Sequence, residues 1–151
     1  MILIPTRVAP SSIHGMGLFA VGAVPAGTPI WRFQPGFDHD FSPAGFQALP
    51  APARVHTRWF CFVSKEDGHV ILSGDHACFI NHSTSPNTGA PPQPDHPVTT
   101  VALRDIAAGE EITCNYRDYD ADTAWKLGEV PSDAPLGARP GADKLPSPAG
   151  R

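Results

Sequence analysis

Three short segments of this chain carry glycine, amide, imidazole and phenol groups at spacings that can serve ligand chemistry. The first is His14-Gly15-Met16-Gly17, in which two glycines flank one residue. Glycine tolerates positive φ and has no Cβ, so this backbone can approach a ligand closely. By itself, a GxG followed by an apolar run is most often a tight turn. This one also lacks the third glycine and the helix start of a dinucleotide-binding fingerprint.

The second segment, residues 79–87, reads FINHSTSPN. Its apolar start predicts burial, and the polar residues that follow predict many side-chain hydrogen bonds. Asn81 and a neutral His82 can each donate and accept a hydrogen bond, which suits a binding site. The alternative is a capped turn whose polar groups satisfy only the local backbone.

The third segment, residues 109–116, reads GEEITCNY and predicts a glycine turn followed by a strand that ends at Tyr116. Tyr116 and Tyr119 are the only tyrosines in the chain. A tyrosine at a strand end is usually a packing residue with a hydrated hydroxyl. A catalytic role for Tyr116 therefore needs support from the other two segments.

The elements that must position these segments are predicted to be short strands. Eighteen prolines interrupt the apolar runs, so long helices are scarce. Asp67-Gly68 predicts a hairpin turn between two of the strands. The predicted fold class is therefore mainly β. The predicted strands cover residues 28–33, 59–64, 69–73, 98–104 and 111–116.

Two short helices are also predicted. Ser42 caps the first, with Pro43 at its first position. Asp120 or Asp122 caps the second, and Gly128 ends it.

Proline-rich stretches predict the domain organisation. Residues 34–54 and 86–97 are predicted to be loops or inserts, and the composition of residues 131–151 predicts a flexible Pro/Gly/Ala-rich tail. We therefore expect one domain over residues 1–130, with an insert near residues 34–56. Residues 24–30 and 106–112 share an apolar–x–Ala–Gly–x–x–Ile pattern, which we interpret as similar turn chemistry rather than a duplication.

Composition narrows the function classes. A formal net charge of −4 without a Lys/Arg run disfavours nucleic-acid binding and suits basic partners. Three cysteines without CxxC spacing predict no disulfide framework, so we expect an intracellular, cytoplasmic protein. The apolar start is too short for a signal peptide, and no segment approaches the roughly 18 apolar residues of a membrane span. The usage rich in Ala, Pro, Gly and Arg suggests a bacterial source.

Two other kinds of chemistry are disfavoured. His76, Cys78 and His82 lie within seven residues, but their spacing matches no zinc motif, so we predict no metal site. Ser83 beside His82 does not predict a hydrolase, because neighbours on a strand point to opposite faces and no nucleophile elbow is present.

Taken together and in this order, the three segments resemble the SET-domain family of protein lysine methyltransferases. That family carries a GxG-Leu/Phe element near its start, then an Arg-Phe-x-Asn-His-Ser-Cys-x-Pro-Asn segment, then a Gly-Glu-Glu-Leu-Thr-x-Asp-Tyr segment. The corresponding strings here are HGMGLFA (14–20), FINHSTSPN (79–87) and GEEITCNY (109–116). The resemblance covers residues 7–122 and favours a small, stand-alone bacterial member.

The resemblance implies a β-clip-like SET fold of several small sheets, in which the Asn-His-Ser strand and the Tyr strand meet in a knot-like C-terminal crossing. It also implies S-adenosylmethionine as the methyl donor, S-adenosylhomocysteine as the product, and no metal. Tyr116 then becomes the catalytic residue that faces the transferred methyl group. The implied cofactor-binding residues are His14, Gly15, Met16, Gly17, Asn81, His82, Tyr116 and, from its position alone, Trp125. The implied substrate channel consists of Trp59, Phe60, Phe62 and Tyr119.

The chain departs from the family pattern at several positions. Many members have a second tyrosine on the strand before the Asn-His-Ser segment, where this chain has Trp59 or Phe60. We therefore expect either a wider pocket that admits more than one methyl group or a less efficient enzyme. Cys78 replaces an arginine, and Thr84 replaces a cysteine that often joins a zinc cluster, so we expect no such cluster. The region after Tyr119 or a second subunit must then close the lysine channel.

The expected function is S-adenosylmethionine-dependent methyl transfer to the side-chain amine of lysine in a protein substrate. The expected partner is a protein with an accessible lysine, without direct nucleic-acid or membrane binding, and a homo-oligomer is compatible with the channel argument. The alternative is a SET-like binding or scaffold protein that kept the fold without turnover, since fold does not imply function. Methylation of a small molecule is a third option.

Overall fold

Short strands in three small sheets make up most of the regular structure. The computed structural model describes residues 1–91 and 99–140, and in these ranges it contains ten strands, four short α-helices and one 3-10 helix. The mainly β fold class is confirmed. The strands are β1 (Thr6–Pro10), β2 (Met16–Ala20), β3 (Pro29–Arg32), β4 (His39–Phe41), β5 (Cys61–Val63), β6 (Val70–Leu72), β7 (Asn81–His82), β8 (Thr88–Gly89), β9 (Thr99–Ala102) and β10 (Glu111–Cys114). The helices are α1 (Pro43–Ala48), α2 (Ala51–Phe60), α3 (Tyr116–Tyr119) and α4 (Thr123–Lys126), and the 3-10 helix is His76–Phe79.

A four-stranded sheet in the order β1-β2-β10-β7 brings the three segments together. β1 and β2 form an antiparallel hairpin in which Pro10 lies opposite Met16, so the glycine segment lies at their connection. β10 pairs antiparallel with β2 and parallel with β7, where Thr113 lies opposite Asn81. The strands of the second and third segments are thus direct neighbours, as the resemblance implies.

The other two sheets have the orders β3-β9-β8 and β4-β6-β5. The predicted hairpin turn at Asp67-Gly68 joins β5 to β6 and is confirmed. Ser64 N donates to His69 O at 2.8 Å, and Gly68 takes a φ of +74°, which glycine adopts without steric cost.

The first apolar core contains the two turns that share a sequence pattern. Val24 N donates to Ile106 O and Ile106 N donates to Val24 O, both at 2.8 Å. Ile30 and Ile112, which end the two patterns, are buried in this same core beside Leu18. The repeated pattern therefore serves one shared core.

Residues 34–54 are not a loop, because this stretch contains β4, α1 and the start of α2, and the prediction that they belong to an insert stays a prediction. α1 forms as the sequence predicts: Ser42 accepts from Gly45 N at 3.1 Å and Pro43 lies in the first turn. Arg54 Nη1 then donates to Leu49 O at 2.6 Å and ties α2 back to the end of α1. The prolines at the start of α2 resemble a loop, which is why the sequence does not reveal this helix.

α2 runs directly into β5, so the predicted strand over residues 59–64 is correct only in its second half. Trp59 and Phe60 are helical, and pairing starts at Cys61. The second apolar core forms here from Phe46 and neighbouring side chains of β5 and β6.

The C-terminal part of the domain is held by α4 and the segment after it. Asp122 is the N-cap residue of α4, although its side chain makes no capping bond, and Gly128 follows the helix with a φ of +70°. Residues 131–140, which belong to the predicted flexible tail, contact the domain. Arg58 donates to Ala134 O at 2.7 Å, and Leu136 packs on the second core, so this segment satisfies a half-buried guanidinium and covers apolar surface. Residues 141–151 of that tail and residues 92–98 lie outside the described residues.

Candidate functional site

Ser11 fixes the loop that connects β1 to β2. Its backbone N–H donates to Gly15 O at 2.9 Å, and Gly15 takes a φ of +48°. Its hydroxyl accepts from Ile13 N at 2.9 Å and lies 2.8 and 2.9 Å from the two carboxylate oxygens of Glu111. The loop that exposes His14, Gly15 and Met16 is therefore anchored on β10.

The second glycine of the GxG pair is required by close packing rather than by its φ. A Cβ built on Gly17 would lie 2.3 Å from Glu111 Oε1 and 3.0 Å from Ser11 Cβ. The first glycine supplies positive φ and the second supplies space. The GxG element is thus a tight turn that is also locked to the third segment.

Asn81 joins the glycine loop to both strands of the site. Its Nδ2 lies 3.2 Å from His14 O, 3.1 Å from Met16 O and 2.8 Å from Glu111 Oε1. Its amide N–H groups are therefore used within the protein, whereas its Oδ1 accepts no hydrogen bond from the described residues. Any direct contact of this side chain with a ligand would use Oδ1.

His82 is held as a neutral imidazole. Its Nδ1 accepts from Tyr116 N at 3.2 Å, which leaves the proton on Nε2. Burial, together with the nearby Arg117 guanidinium, holds the pKa of His82 below its usual value. Nε2–H makes no hydrogen bond to the described residues, so His82 offers one donor to a ligand.

The two tyrosines follow β10 on α3, and the Tyr116 hydroxyl contacts the second segment whereas the Tyr119 hydroxyl contacts β10. Tyr116 donates to Ile80 O at 2.7 Å, and its ring lies 5.3 Å from the His82 ring. The Tyr119 hydroxyl lies 3.0 Å from Cys114 Sγ. Burial raises the pKa of both phenols well above the usual value, so both stay protonated.

A cleft of about 560 Å³ opens on the other side of Tyr116. It is lined by all four residues of the predicted substrate channel, namely Trp59, Phe60, Phe62 and Tyr119. Phe62 stands edge-on to Tyr119, with ring centroids 5.1 Å apart. The predicted cofactor residues of the glycine loop, Asn81 and His82 are not among the lining residues, so Tyr116 lies between the two groups.

Trp125 packs against Trp59, one of the predicted channel residues. Its ring centroid is 4.6 Å from that of Trp59, and the Arg58 guanidinium lies 4.1 Å from its ring. Its indole N–H donates to Ser132 O at 2.9 Å. The structure thus places Trp125 against the channel residue Trp59, and its stacking on an adenine ring stays a prediction.

One wall of the cleft contains a half-buried cation, Lys126. Lys126 Nζ lies 5.5 Å from the centroid of the Tyr116 ring and donates to the Asp120 carboxylate and to Cys61 O. Asp120 also accepts from Val63 N at 2.9 Å. The charge of Lys126 is therefore neutralised inside the wall.

Several residues of the site were missed by sequence reasoning. Glu111 and Ser11 carry the loop anchor, and Arg58 pairs with the buried Asp122 through bonds of 2.8 and 3.0 Å. Asn87 accepts from Thr113 N at 2.8 Å and so fixes the end of the second segment on β10. Of these residues, only Asn87 and Glu111 could have been found from the sequence, since both fall inside the recognised strings.

Over residues 1–91 and 99–140, no group of three or more His, Cys, Asp or Glu side chains is arranged to hold a metal ion. None of the helices in those ranges is long and apolar enough for a membrane crossing.

Comparisons with known proteins agree with this geometry. The family model described as SET domain matches residues 15–117. No curated protein sequence matches significantly.

Solved structures show the same fold at low sequence identity. A humanized Chaetomium thermophilum Polycomb Repressive Complex 2, bound to the inhibitor GSK126, has a chain that is 24% identical with a TM-score of 0.57, and the match covers 80% of this chain and 16% of that one. A candidate histone methyltransferase from Plasmodium falciparum is 17% identical with a TM-score of 0.54, and the match covers 76% of this chain and 95% of that one. This protein therefore spans about a sixth of the Polycomb chain but most of the Plasmodium one. Since the SET model covers more than half of the sequence, the chain belongs to the SET-domain family.

Proposed function

We propose that this protein transfers a methyl group from S-adenosylmethionine to the side-chain amine of a lysine in a protein substrate. The observation that carries the proposal is the position of Tyr116. Its backbone N–H and hydroxyl are both bonded to the second segment, at His82 and Ile80, while its ring lines an aromatic cleft. A methyl donor bound at the glycine loop and a lysine amine bound in the cleft would therefore meet at Tyr116.

The glycine loop and the neighbouring second segment offer groups that fit S-adenosylmethionine. Within residues 1–91 and 99–140, His82 Nε2–H has no hydrogen-bond acceptor and Asn81 Oδ1 has no donor, and a Cβ on Gly15 would meet nothing within 4 Å. When bound, S-adenosylmethionine supplies an activated methyl group on a sulfonium. We assign His14, Gly15, Met16 and Gly17 to the surface that would hold it. The amide N–H groups of Asn81 act indirectly, by keeping the loop in place.

The cleft side suits a lysine that has to lose its proton before transfer. A lysine ammonium has an ordinary pKa of about 10.4 and is not a nucleophile. Burial among Trp59, Phe60 and Phe62 disfavours the charged form, and their rings accept the aliphatic stem. Aromatic faces also attract a methylated ammonium product.

The hydroxyl of Tyr116 acts by orientation rather than as a base. Its hydrogen is donated to Ile80 O, so its oxygen lone pairs face away from that bond and can accept weak CH···O contacts from a methyl group. Its raised pKa keeps it a neutral phenol at physiological pH. The family's second tyrosine is absent, and Tyr119 supplies the other phenol in the cleft.

Transfer of labelled methyl groups from S-adenosylmethionine to a Lys-rich protein mixture tests the proposal. Tyr116→Phe removes one hydrogen bond and the CH···O contacts, together about 2 kcal/mol, so transfer should fall roughly thirtyfold. The affinity for S-adenosylhomocysteine, measured by calorimetry, should stay within about threefold. Mass spectrometry of the product should show the label on lysine side chains.

Tyr119→Phe is the matched comparison, because it removes a phenol hydroxyl from the same cleft. Its partner is a thiol, a weak hydrogen-bond acceptor, so the expected loss of transfer is smaller. Cofactor binding without transfer to any protein would refute the proposal and support the scaffold alternative. A cytoplasmic location and a bacterial source stay predictions from composition.

A further inference from the structure

The two most exposed large apolar side chains within residues 1–91 and 99–140 lie on one face of α2. Val55 is 63% exposed and Trp59 is 59% exposed. Residues four apart on a helix are neighbours on its surface, with Cβ atoms about 5–6 Å apart. A single exposed apolar side chain is common, but an exposed tryptophan beside an exposed valine presents a continuous apolar surface to water. We refer to Val55 and Trp59 as the α2 apolar face.

The α2 apolar face continues into the cleft beside Tyr116. Trp59 belongs to both, because it lines the cleft together with the next residue, Phe60. Its ring is supported from one side by Trp125, with ring centroids 4.6 Å apart. A chain segment that leaves the cleft over Trp59 and follows α2 would reach Val55 after about one helical turn, or about 5.4 Å.

The charged groups of α2 are directed away from this face and are bonded within the protein. Arg54 donates to Leu49 O at 2.6 Å, and Arg58 donates to the Asp122 carboxylate at 2.8 Å. α2 contains no acidic residue. The helix therefore offers no opposite charge to a charged side chain, and covering its apolar face with such a side chain would cost desolvation energy. An apolar side chain gains from the same contact, because both surfaces leave water.

We propose that the α2 apolar face binds an apolar side chain of the substrate that flanks the target lysine. The inference rests on the proposed function and adds a substrate class to it, namely proteins with Leu, Ile, Val, Met or Phe within about three residues of that lysine. The spacing follows from chain geometry, since an extended peptide advances about 3.3–3.6 Å per residue and one turn of α2 thus corresponds to one or two residues. Val55 is a specificity residue and does not touch the reacting atoms.

The test uses the full chain, S-adenosylmethionine and lysine-centred peptides that carry Leu, Ser or Arg at one flanking position at a time. At one or two positions on one side of the lysine, Leu should lower the KM about tenfold relative to Ser with kcat unchanged, because the contact is apolar burial that is equal in ground and transition states. A preference for Arg over Leu at every flanking position would overturn the inference.

Variants at position 55 connect this preference to the helix. Val55→Ser should reduce the Leu/Ser ratio to about threefold, and Val55→Leu should increase the ratio, because it enlarges the apolar contact. Val21→Ser is the matched control, since Val21 is 55% exposed and does not line the cleft, and it should leave the ratio unchanged. A ratio that responds to neither change at position 55, or that falls equally for Val21→Ser, would overturn the inference.

Light scattering tests the competing occupant of this face, a second copy of the chain. A dimer that dissociates in the Val55→Ser variant would assign the α2 apolar face to a contact between subunits and overturn the inference. A protein with the same mass in both forms would support it.

Binding of the same peptides to immobilised protein separates the two proposals. Peptides that bind with the Leu preference but accept no methyl group would refute the proposed function and leave the α2 contact supported. Peptides that are methylated without any Leu preference would refute the α2 contact alone, and peptides that neither bind nor accept methyl groups would refute both.

Discussion

Gly17→Ala should destabilise the protein because of Glu111, and the structure allows the size of the effect to be worked out. The new Cβ would lie 2.3 Å from Glu111 Oε1, whereas such contacts essentially never occur below 3.0 Å, so the carboxylate must move by about 0.7 Å. Its 2.8 Å hydrogen bond from Asn81 Nδ2 would then reach about 3.5 Å and be lost, whereas Ser11 Oγ can keep its 2.9 Å bond to Glu111 Oε2.

The expected cost is the sum of overpacking and a lost hydrogen bond, reduced by the better strand preference of alanine. Overpacking costs about 1–3 kcal/mol. A hydrogen bond to a charged group contributes about 1.5–3 kcal/mol. Alanine regains about 0.5–1 kcal/mol in a strand. With one such bond lost, we therefore expect Gly17→Ala to lower the free energy of unfolding by about 1.5–5.5 kcal/mol.

Urea denaturation followed by circular dichroism measures this change, and a double-mutant cycle tests its cause. In a Glu111→Ser background the alanine Cβ meets no carboxylate, so Gly17→Ala should cost less than about 1 kcal/mol. Gly22→Ala is the control, because a Cβ there meets nothing within 4 Å. An equal loss in both backgrounds, or no loss in the wild type, would refute the packing argument.

Three further predictions follow from buried charges and thiols. Arg58→Met leaves the Asp122 carboxylate buried without its partner, so urea denaturation should show a loss of about 3–5 kcal/mol. Because the pKa of His82 is lowered in the folded state, its contribution to stability is present above its unfolded pKa of about 6.5 and is lost as the pH falls through the folded value. The acid limb of a melting-temperature profile should therefore be shallower in His82→Gln than in the wild type. Burial raises the pKa of Cys61 to about 11 and of Cys114 to about 12, so iodoacetamide at pH 8 should label neither thiol until the protein unfolds, as peptide mass spectrometry would show.

The helices show where local sequence information is sufficient and where it is not. α1 was predictable because its signals are local: Ser42 caps it and Pro43 occupies its first turn. α2 was not, because its prolines and its Arg58-Trp59-Phe60 end have the composition of a loop followed by a strand. What holds α2 in place is the pair between Arg58 and Asp122, which are 64 residues apart.

The residues of the candidate site likewise include some that the sequence reveals and some whose roles it does not. The recognised strings contain Tyr116 and His82, and the resemblance that they carry implied the aromatic cleft residues. They did not reveal that the amide N–H groups of Asn81 are used by the glycine loop, or that Val55 and Trp59 share one exposed face of α2. Both facts depend on which groups meet across the fold, and residue type alone cannot give that.

By itself, the sequence determined the mainly β class, the hairpin at Asp67-Gly68, the first helix and the three strings that belong to one site. These features follow from local backbone preferences and from an ordered set of residue types. The tertiary structure alone decided that Glu111 locks the glycine loop, that Tyr116 separates the loop from the cleft, and that Leu136 packs on the second core. Each of these depends on contacts between residues far apart in the chain, whose partners are fixed only once the sheets have packed.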